Sequence, residues 1–312
     1  MRRALPILAV LLVLLAAIAV ANPYFLEPGG FLAFVRRAAP LVILAAGQYF
    51  VIVSGEFDLS VGSLVTAEVV VAARLIDGDE AATWPVLTLL IVLGLLVGLV
   101  NGAVTTLLRV PSFITTLGMM LILSGAVFLW TGGAPRGALS QGFRIFGREA
   151  GWAVLILLVL AVAAILLTRS DFGRTLIATG DNERAAALSG VRVHRVRILA
   201  FVLSGVAAAV AGILLGGFAG VSAQTGQGLE FQAITAVVLG GVALGGGRGS
   251  VVAAMAGALT LEALFTLLNL YGISGALEFT VQGVIIIAAV AAGAVRLPFL
   301  HLRRSKGDAH AT

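Results

Sequence analysis

The chain has 312 residues, of which 60% are hydrophobic and only 11% are charged, and its mean hydropathy is +1.11. These values lie outside the range of soluble globular domains. The chain contains no cysteine, which excludes disulfides and thiolate metal sites. The composition therefore predicts an all-α, polytopic transmembrane bundle that forms a single domain over residues 1–312.

About ten apolar runs are long enough to cross a bilayer as helices, completely or in part. They cover residues 4–21, 37–54, 60–74, 84–108, 111–131, 151–168, 198–217, 231–244, 250–269 and 277–295. The third and eighth runs are short enough to be partial or tilted, so eight to ten spans are expected. A total of ten places both ends of the chain on the same side of the membrane.

The distribution of basic residues predicts which side that is, because arginine and lysine beside spans are retained in the cytoplasm. The ten-span topology places fourteen of the twenty basic residues there, including those of the 169–197 loop and of the 296–312 tail. Arg36 and Arg37 lie on the wrong side, so either the second span begins later or segment 22–37 lies along the interface. We expect a cell (inner) membrane protein with cytoplasmic termini, whose basic flanks contact anionic lipid and not nucleic acid.

The stretch "SGEFDLSVGS", residues 54–63, interrupts the hydrocarbon with two carboxylates. A carboxylate is costly inside a bilayer, so Glu56 and Asp58 must face water, a partner or a helix end. Asp58 and Ser60 are also suitable helix caps. The sequence therefore predicts a broken helix near 54–60, of the kind that lines translocation pathways or gates. An ordinary cytoplasmic turn with solvated carboxylates is the alternative.

The largest polar insertion, residues 168–199, predicts a short amphipathic helix. Asp181 or Asn182 can cap this helix, residues 183–189 favour helix, and Gly190 can terminate it. Such a helix suits a groove on a soluble protein, whereas a basic loop lying on anionic lipid is the alternative. The candidate contact residues are Asp181, Asn182, Glu183, Arg184, Ala185, Ala186, Leu188 and Gly190.

Small residues at every fourth position predict close helix packing. One ridge contains Gly94, Gly98 and Gly102, and a second runs from Ser204 to Gly220.

Enzymatic chemistry has little support in the sequence. The three histidines lie in a polar loop and in the tail, and no phosphate loop of the form GxxxxGK[ST] occurs. The glycine-rich stretch "GGVALGGGRGS", residues 240–250, lacks the required lysine and joins two apolar runs. We therefore expect a non-enzymatic chain without catalytic residues, metal site or cofactor of its own.

Several ordered motifs resemble one known family, the permease subunits of ATP-binding cassette importers for simple sugars, the ribose/xylose/autoinducer-2 class. The resemblance covers residues 40–295 and rests on five stretches of the chain. They are "SGEFDLSVGSLVTAEVVVAA", "GLVNGAVTTLLRVPSFITTLGMM", "ATGDNERAAALSGVRVHRVRILAFVLSG", "GGVALGGGRGSVVAAMAGAL" and "LLNLYGIS". Glu68, Glu262 and Glu278 depart from the family pattern.

The resemblance implies a permease that pairs with a second copy or a homologous permease. It also implies cytoplasmic ATP-binding subunits, which hold the ATP, and an extracytoplasmic solute-binding protein that delivers the solute. The Asp181–Gly190 helix would dock on the ATPase, and closure of the ATPases would drive alternating access.

Polar and aromatic residues in or beside the spans are candidates for the translocation pathway or its gate, although each could serve only to hold helices together. They are Glu56, Phe57, Asp58, Ser60, Asn101, Phe113, Glu262 and Asn269, with Gln48 and Gln282 as further amides. Three other functions remain open at this point: a branched-chain amino-acid permease, a proton-coupled secondary transporter and a purely structural scaffold.

Overall fold

The computed structural model describes residues 5–273 and 275–295. This part of the chain folds into thirteen α-helices and a short 3-10 turn at Pro23–Leu26, without a strand. The helices are α1 (Leu5–Ala21), α2 (Pro28–Val53), α3 (Val61–Ile76), α4 (Thr83–Leu107), α5 (Ser112–Thr131), α6 (Gln141–Arg148), α7 (Ala150–Arg169), α8 (Asp171–Asp181), α9 (Glu183–Leu188), α10 (Val193–Ala219), α11 (Leu229–Leu239), α12 (Val251–Leu270) and α13 (Gly275–Val295).

Each of the ten predicted apolar runs corresponds to one helix of this bundle, which confirms the predicted fold class. Within residues 5–273 and 275–295, six helices are both long and apolar enough to cross a membrane: α2, α4, α5, α7, α10 and α12. The two runs expected to be short are indeed short, since α3 has 16 residues and α11 has 11. Among the described residues, α6, α8 and α9 are the helices outside the predicted runs.

The start of the second span differs from the prediction. Helix α2 begins at Pro28, before the predicted run that starts at residue 37, so Arg36 and Arg37 lie inside the helix. Arg37 forms an ion pair with Glu262 of α12, with 2.7 Å between Nε and Oε1, and it also donates to Thr266. A partner for the charge accounts for an arginine at this depth of an apolar helix.

Glycine contacts set the central crossing of the bundle, where α10 packs against α4, α2 and α3. A Cβ at Gly94 would lie 2.5 Å from the carbonyl oxygen of Gly205, and one at Gly98 would lie 2.4 Å from that of Phe201. The first predicted ridge therefore packs on α10 as expected. The second ridge faces other helices, because Gly212 contacts Glu68 of α3.

The core lies among α2, α10, α11 and α12, where Tyr49, Phe201 and Leu261 are at most 1% exposed. In contrast, α5 and α7 are largely exposed along their length. The basic tail predicted over 296–312 lies outside the described residues.

Candidate functional site

The predicted helix break is present between α2 and α3. Helix α2 ends at Val53, Gly55 has a φ of +91°, and α3 begins at Val61. Gly55 adopts this left-handed conformation without a steric penalty, so the chain can leave the axis of α2. Within the break, Phe57, Asp58 and Leu59 make no backbone-to-backbone hydrogen bond with another described residue and can present their own polar groups.

Asp58 is the centre of a buried hydrogen-bond network in this segment. Its side chain is 1% exposed, and Oδ1 accepts from the backbone N–H and the hydroxyl of Ser60 at 3.0 and 2.7 Å. Oδ2 accepts from the Ser204 hydroxyl of α10 at 2.9 Å, and the Asn101 amide of α4 donates to Ser60 Oγ at 2.8 Å. For Asp58, the alternative of a solvated turn is wrong, because three donors replace water.

Helix α5 holds the other side of the break. The backbone N–H of Phe57 donates to Ser112 Oγ at 3.1 Å, and that of Leu59 donates to Thr116 Oγ1 at 3.1 Å. Both bonds satisfy backbone groups that the missing helical turn leaves free. The break is thus a built feature, fixed by α4, α5 and α10.

Glu56 faces a different neighbour, Arg197 of α10. Arg197 Nε lies 3.2 Å from Glu56 Oε1, and its Nη2 lies 3.0 Å from Glu183 Oε2 of α9. The contact between Arg197 Nε and Glu56 Oε1 is an ion pair, but its geometry is not that of a hydrogen bond. The side chains of Arg197 and Glu56 are 17% and 14% exposed, whereas that of Glu183 is 52% exposed. One guanidinium therefore joins the helix break to the short helix α9.

A backbone junction reinforces this connection. The N–H of Gly247 in the glycine-rich loop donates to the carbonyl of Val53 at 2.9 Å. A Cβ at Gly180 of α8 would lie 1.9 Å from the same carbonyl oxygen and 2.5 Å from Gly247 N. The end of α2, the end of α8 and the loop before α12 are therefore in direct backbone contact, which only glycine permits here.

The predicted short helix is α9, and Asn182, not Asp181, is its N-cap. The Asn182 side chain accepts from Ala185 N at 2.9 Å, while Asp181 is the last residue of α8. Gly190 follows with a φ of +85°. A residue in this conformation after a helix is the usual C-terminal signal, as predicted.

The surface of α9 also differs in one residue from the prediction. Ala186 is buried, so it packs against the chain and is not available to a docking partner. Leu188 is 85% exposed, and Glu183, Arg184 and Ala185 are exposed beside it. Helix α9 therefore presents a small mixed surface of apolar and charged groups.

The remaining pathway candidates lie apart from the break or at its edge. Phe113 is 53% exposed on α5, and Glu262 is held by Arg37. Asn269 donates to the carbonyl of Phe265 and to Glu278. Their assignment to a pathway stays a prediction.

Sequence reasoning gave no role at the helix break to four residues that contact the break or its neighbours: Arg197, Ser112, Thr116 and Ser204. The three hydroxyl residues sit in apolar helices, where serine and threonine occur commonly as packing residues. No local pattern distinguishes them.

Comparison with known proteins assigns the chain. Residues 30–290 match the family described as branched-chain amino acid transport system / permease component. The ribose import permease protein of Bacillus subtilis strain 168 is 35% identical over 90% of this chain and 89% of its own length. The ribose import permease of Escherichia coli K12 is 34% identical over 91% of both chains, and the autoinducer 2 import permease of E. coli O157:H7 is 38% identical over 85% and 80%.

Among solved structures there is no significant match. The family match spans most of the chain and includes the break, α9 and the glycine-rich loop. The chain therefore belongs to this family of permease components and is a multi-pass membrane subunit of an ATP-binding cassette importer.

Proposed function

We propose that this subunit imports a simple sugar or a related small polar solute, delivered by an extracytoplasmic binding protein and driven by separate ATP-binding subunits. The relatives that cover most of the chain are ribose and autoinducer 2 permeases, which favours a sugar over a branched-chain amino acid. Family membership argues against the proton-coupled transporter and the structural scaffold. ATP would be bound by the partner subunits, since this sequence has no phosphate loop.

The observation that carries the mechanism is the ion-pair connection from Glu183 through Arg197 to Glu56. In our proposal, the exposed face of α9 docks on the ATPase, with Glu183, Arg184 and Leu188 as contacts. Movement of α9 is then transmitted to the break by Arg197, which holds α9 through the half-exposed Glu183. Its pair with Glu56 has low exposure and therefore resists separation. The Gly180–Val53–Gly247 backbone contact adds a rigid connection between the same elements.

The break is where such a movement can alter the pathway. The middle of the break, Phe57–Leu59, has no backbone-to-backbone hydrogen bonds within the described part of the chain, so it can shift at lower cost than a continuous helix. Its displacement would move Asp58, Ser60 and Asn101 together, because hydrogen bonds join them. Alternating access in this proposal consists of this shift, in a pair of permease subunits.

The proposed orientation places α8, α9, the glycine-rich loop and both termini in the cytoplasm of a cell (inner) membrane protein. Ser189, at the end of α9, is exposed and the chain lacks other thiols, so Ser189→Cys gives a direct test. We expect an impermeant maleimide to label this cysteine in inside-out vesicles and not in intact cells. Labelling from outside intact cells would overturn the topology.

The transport proposal is tested by reconstituting the permease with its ATP-binding subunits and binding protein in vesicles. We expect uptake of labelled D-ribose, D-xylose or D-galactose that requires ATP, persists in the presence of a proton uncoupler and is not competed by L-leucine. Uptake of L-leucine alone would assign the amino-acid branch of the family. Uptake abolished by the uncoupler with ATP maintained would contradict the ATP-driven mechanism.

A further inference from the structure

A cavity with several polar side chains in an otherwise apolar wall lies next to the helix break, and none of the residues predicted for the pathway lines it. Its volume is about 470 Å³, which falls in the range of small-molecule sites. It opens between α3, α5 and the loop that leads into α11. The side chains that matter for its chemistry are Ser63, Thr66, Phe128, Gln224, Gln227 and Glu230.

The wall of the cavity is fixed by backbone contacts between α3 and the 220–228 loop. A Cβ at Gly62 would lie 2.5 Å from the carbonyl oxygen of Gly226 and 2.0 Å from Glu230 Oε2. A Cβ at Gly226 would lie 2.0 Å from the carbonyl oxygen of Gly62. The backbone N–H of Gly226 donates to Thr66 Oγ1 at 2.9 Å. The glycine of the "DLSVGS" motif therefore makes room for the loop and for the Glu230 carboxylate.

The cavity presents mainly hydrogen-bond acceptors from α3 and α11. The hydroxyl proton of Ser63 is donated to the carbonyl of Ser60 at 2.9 Å, and that of Thr66 to the carbonyl of Gly62 at 3.2 Å. Ser63 Oγ keeps its lone pairs as acceptors, whereas Thr66 Oγ1 already accepts from the N–H of Gly226 and keeps one lone pair. Glu230 is 7% exposed and forms no ion pair within the described residues.

We propose that this cavity is a solute subsite that selects neutral, hydroxyl-rich molecules and rejects anions. A solute with several hydroxyl groups supplies the donors that Ser63, Thr66 and Glu230 require. The amides of Gln224 and Gln227 can both donate and accept, and the exposed ring of Phe128 offers a face for the C–H surface of a sugar ring. An anionic solute would meet the Glu230 carboxylate without a compensating cation.

The subsite also has a direct connection to the coupling path. Ser63 donates to the carbonyl of Ser60, and the hydroxyl of Ser60 donates to Asp58. A shift of the break therefore moves one wall of the cavity. This inference rests on the proposed function, since it assigns the location at which the imported solute contacts the permease.

A first experiment tests the charge selectivity without any assumption about the solute. Ser124 lines the cavity on α5, whereas Leu121 of the same helix is exposed and does not line it, so Ser124→Cys and Leu121→Cys form a matched pair. The assembled complex is treated with two methanethiosulfonate reagents. One carries a cationic ethylammonium group, and the other carries an anionic ethylsulfonate group. The quantity compared is the modification rate by the cationic reagent divided by that by the anionic reagent. We expect this ratio to fall about tenfold at position 124 when Glu230→Gln is added, and to stay unchanged at position 121. A ratio at position 124 that is independent of Glu230 would overturn the proposal.

A second experiment tests occupancy by the solute. The protectant is D-ribose, with the anionic D-ribose 5-phosphate as its comparison, and the readout is the rate of maleimide labelling at Ser124→Cys. We expect D-ribose to slow labelling several-fold, D-ribose 5-phosphate to have no effect, and Gln227→Leu to weaken the protection by D-ribose. Equal protection by the two compounds, or none by D-ribose in vesicles that import it, would contradict the subsite.

The two proposals fail in different ways. ATP-driven uptake is measured in the same vesicles, with the exposed Glu149→Gln as the control carboxylate variant. Uptake that is normal in Glu230→Gln and Gln227→Leu would overturn the subsite and leave the importer proposal intact. Absence of ATP-driven uptake of every sugar tested by the unaltered complex would overturn the importer proposal, while the rate ratio at position 124 still decides the charge selectivity of the cavity.

Discussion

At the scale of single residues, the buried charges of this bundle are stabilised by specific partners. Asp58 has three donors, and the largely buried Glu262 of α12 pairs with Arg37 of α2, which is partly exposed. Glu68 is the exception, because it is fully buried and neither of its carboxyl oxygens has a partner among the described residues. Replacing one member of such a pair should therefore lower the stability of the protein more than replacing both members together.

The Arg37–Glu262 pair allows this to be measured. We expect Glu262→Gln to destabilise the protein by about 1.5 kcal/mol, the lower end for a hydrogen bond to a charged group, because the Arg37 side chain is 41% exposed. The double variant Arg37→Gln, Glu262→Gln should recover most of this loss. The measurement is thermal unfolding in detergent, with the exposed pair variant Asp171→Asn as the control. A double variant less stable than Glu262→Gln would contradict the assignment.

Ser204 tests the network at the break in the same assay. Ser204→Ala removes the donor to Asp58 Oδ2 and leaves that oxygen buried, so we expect a loss of about 1–3 kcal/mol. Thr88→Ala is the control, because its exposed hydroxyl bonds only within its own helix. Equal stability of the two variants would show that Ser204 does not support the carboxylate.

At the scale of helices, glycine determines how closely the central elements approach. A Cβ at Gly205 would lie 2.1 Å from the carbonyl oxygen of Gly94, so α4 and α10 would have to separate. We expect Gly205→Ala to lower stability by about 1–3 kcal/mol through overpacking. The control Gly125→Ala adds a Cβ into open space on α5 and should be neutral or slightly stabilising. The pair is compared by thermal unfolding, and a neutral Gly205→Ala would refute the close crossing.

The elements that sequence predicts well are those with a strong local signal. The break was predictable because Glu56 and Asp58 interrupt an apolar run, and α9 because Asn182 and Gly190 mark its ends. The start of α2 was missed because Arg36 and Arg37 conceal the apolar pattern, and their partners are distant: Glu262 for Arg37, and the ring of Phe218 for Arg36. Similarly, the end of α11 was placed too late, since Gly240 stops the helix at Leu239 within an apolar stretch.

The parts of the site that were missed depend on contacts between distant residues. Ser204 meets Asp58 across 146 positions of the chain, and Gly226 meets Thr66 across 160. Serine and glycine are frequent in membrane helices, so neither stands out before the fold is known. The polar cavity is therefore a property of the tertiary structure and not of any motif.

At the scale of the whole molecule, one continuous path joins α9 to the cavity. It runs from Glu183 through Arg197 to Glu56, then along the break to Asp58, and from Ser60 to Ser63 at the cavity wall. The path consists of two ion pairs, a stretch of covalent backbone from Glu56 to Ser60, and hydrogen bonds. Its proposed role is to convert movement of the ATPases into movement at the solute pathway.

The most direct test is the number of solute molecules imported per ATP hydrolysed in reconstituted vesicles, for the unaltered complex and for Arg197→Met. Methionine keeps an unbranched apolar stem but loses both ion pairs, each worth up to about 1 kcal/mol because Glu183 is half exposed, so coupled uptake should fall several-fold. ATP hydrolysis and assembly should persist, and Arg174→Ala, which removes an exposed pair, should behave like the unaltered complex. An unchanged ratio of solute to ATP in an assembled Arg197→Met complex would contradict the account.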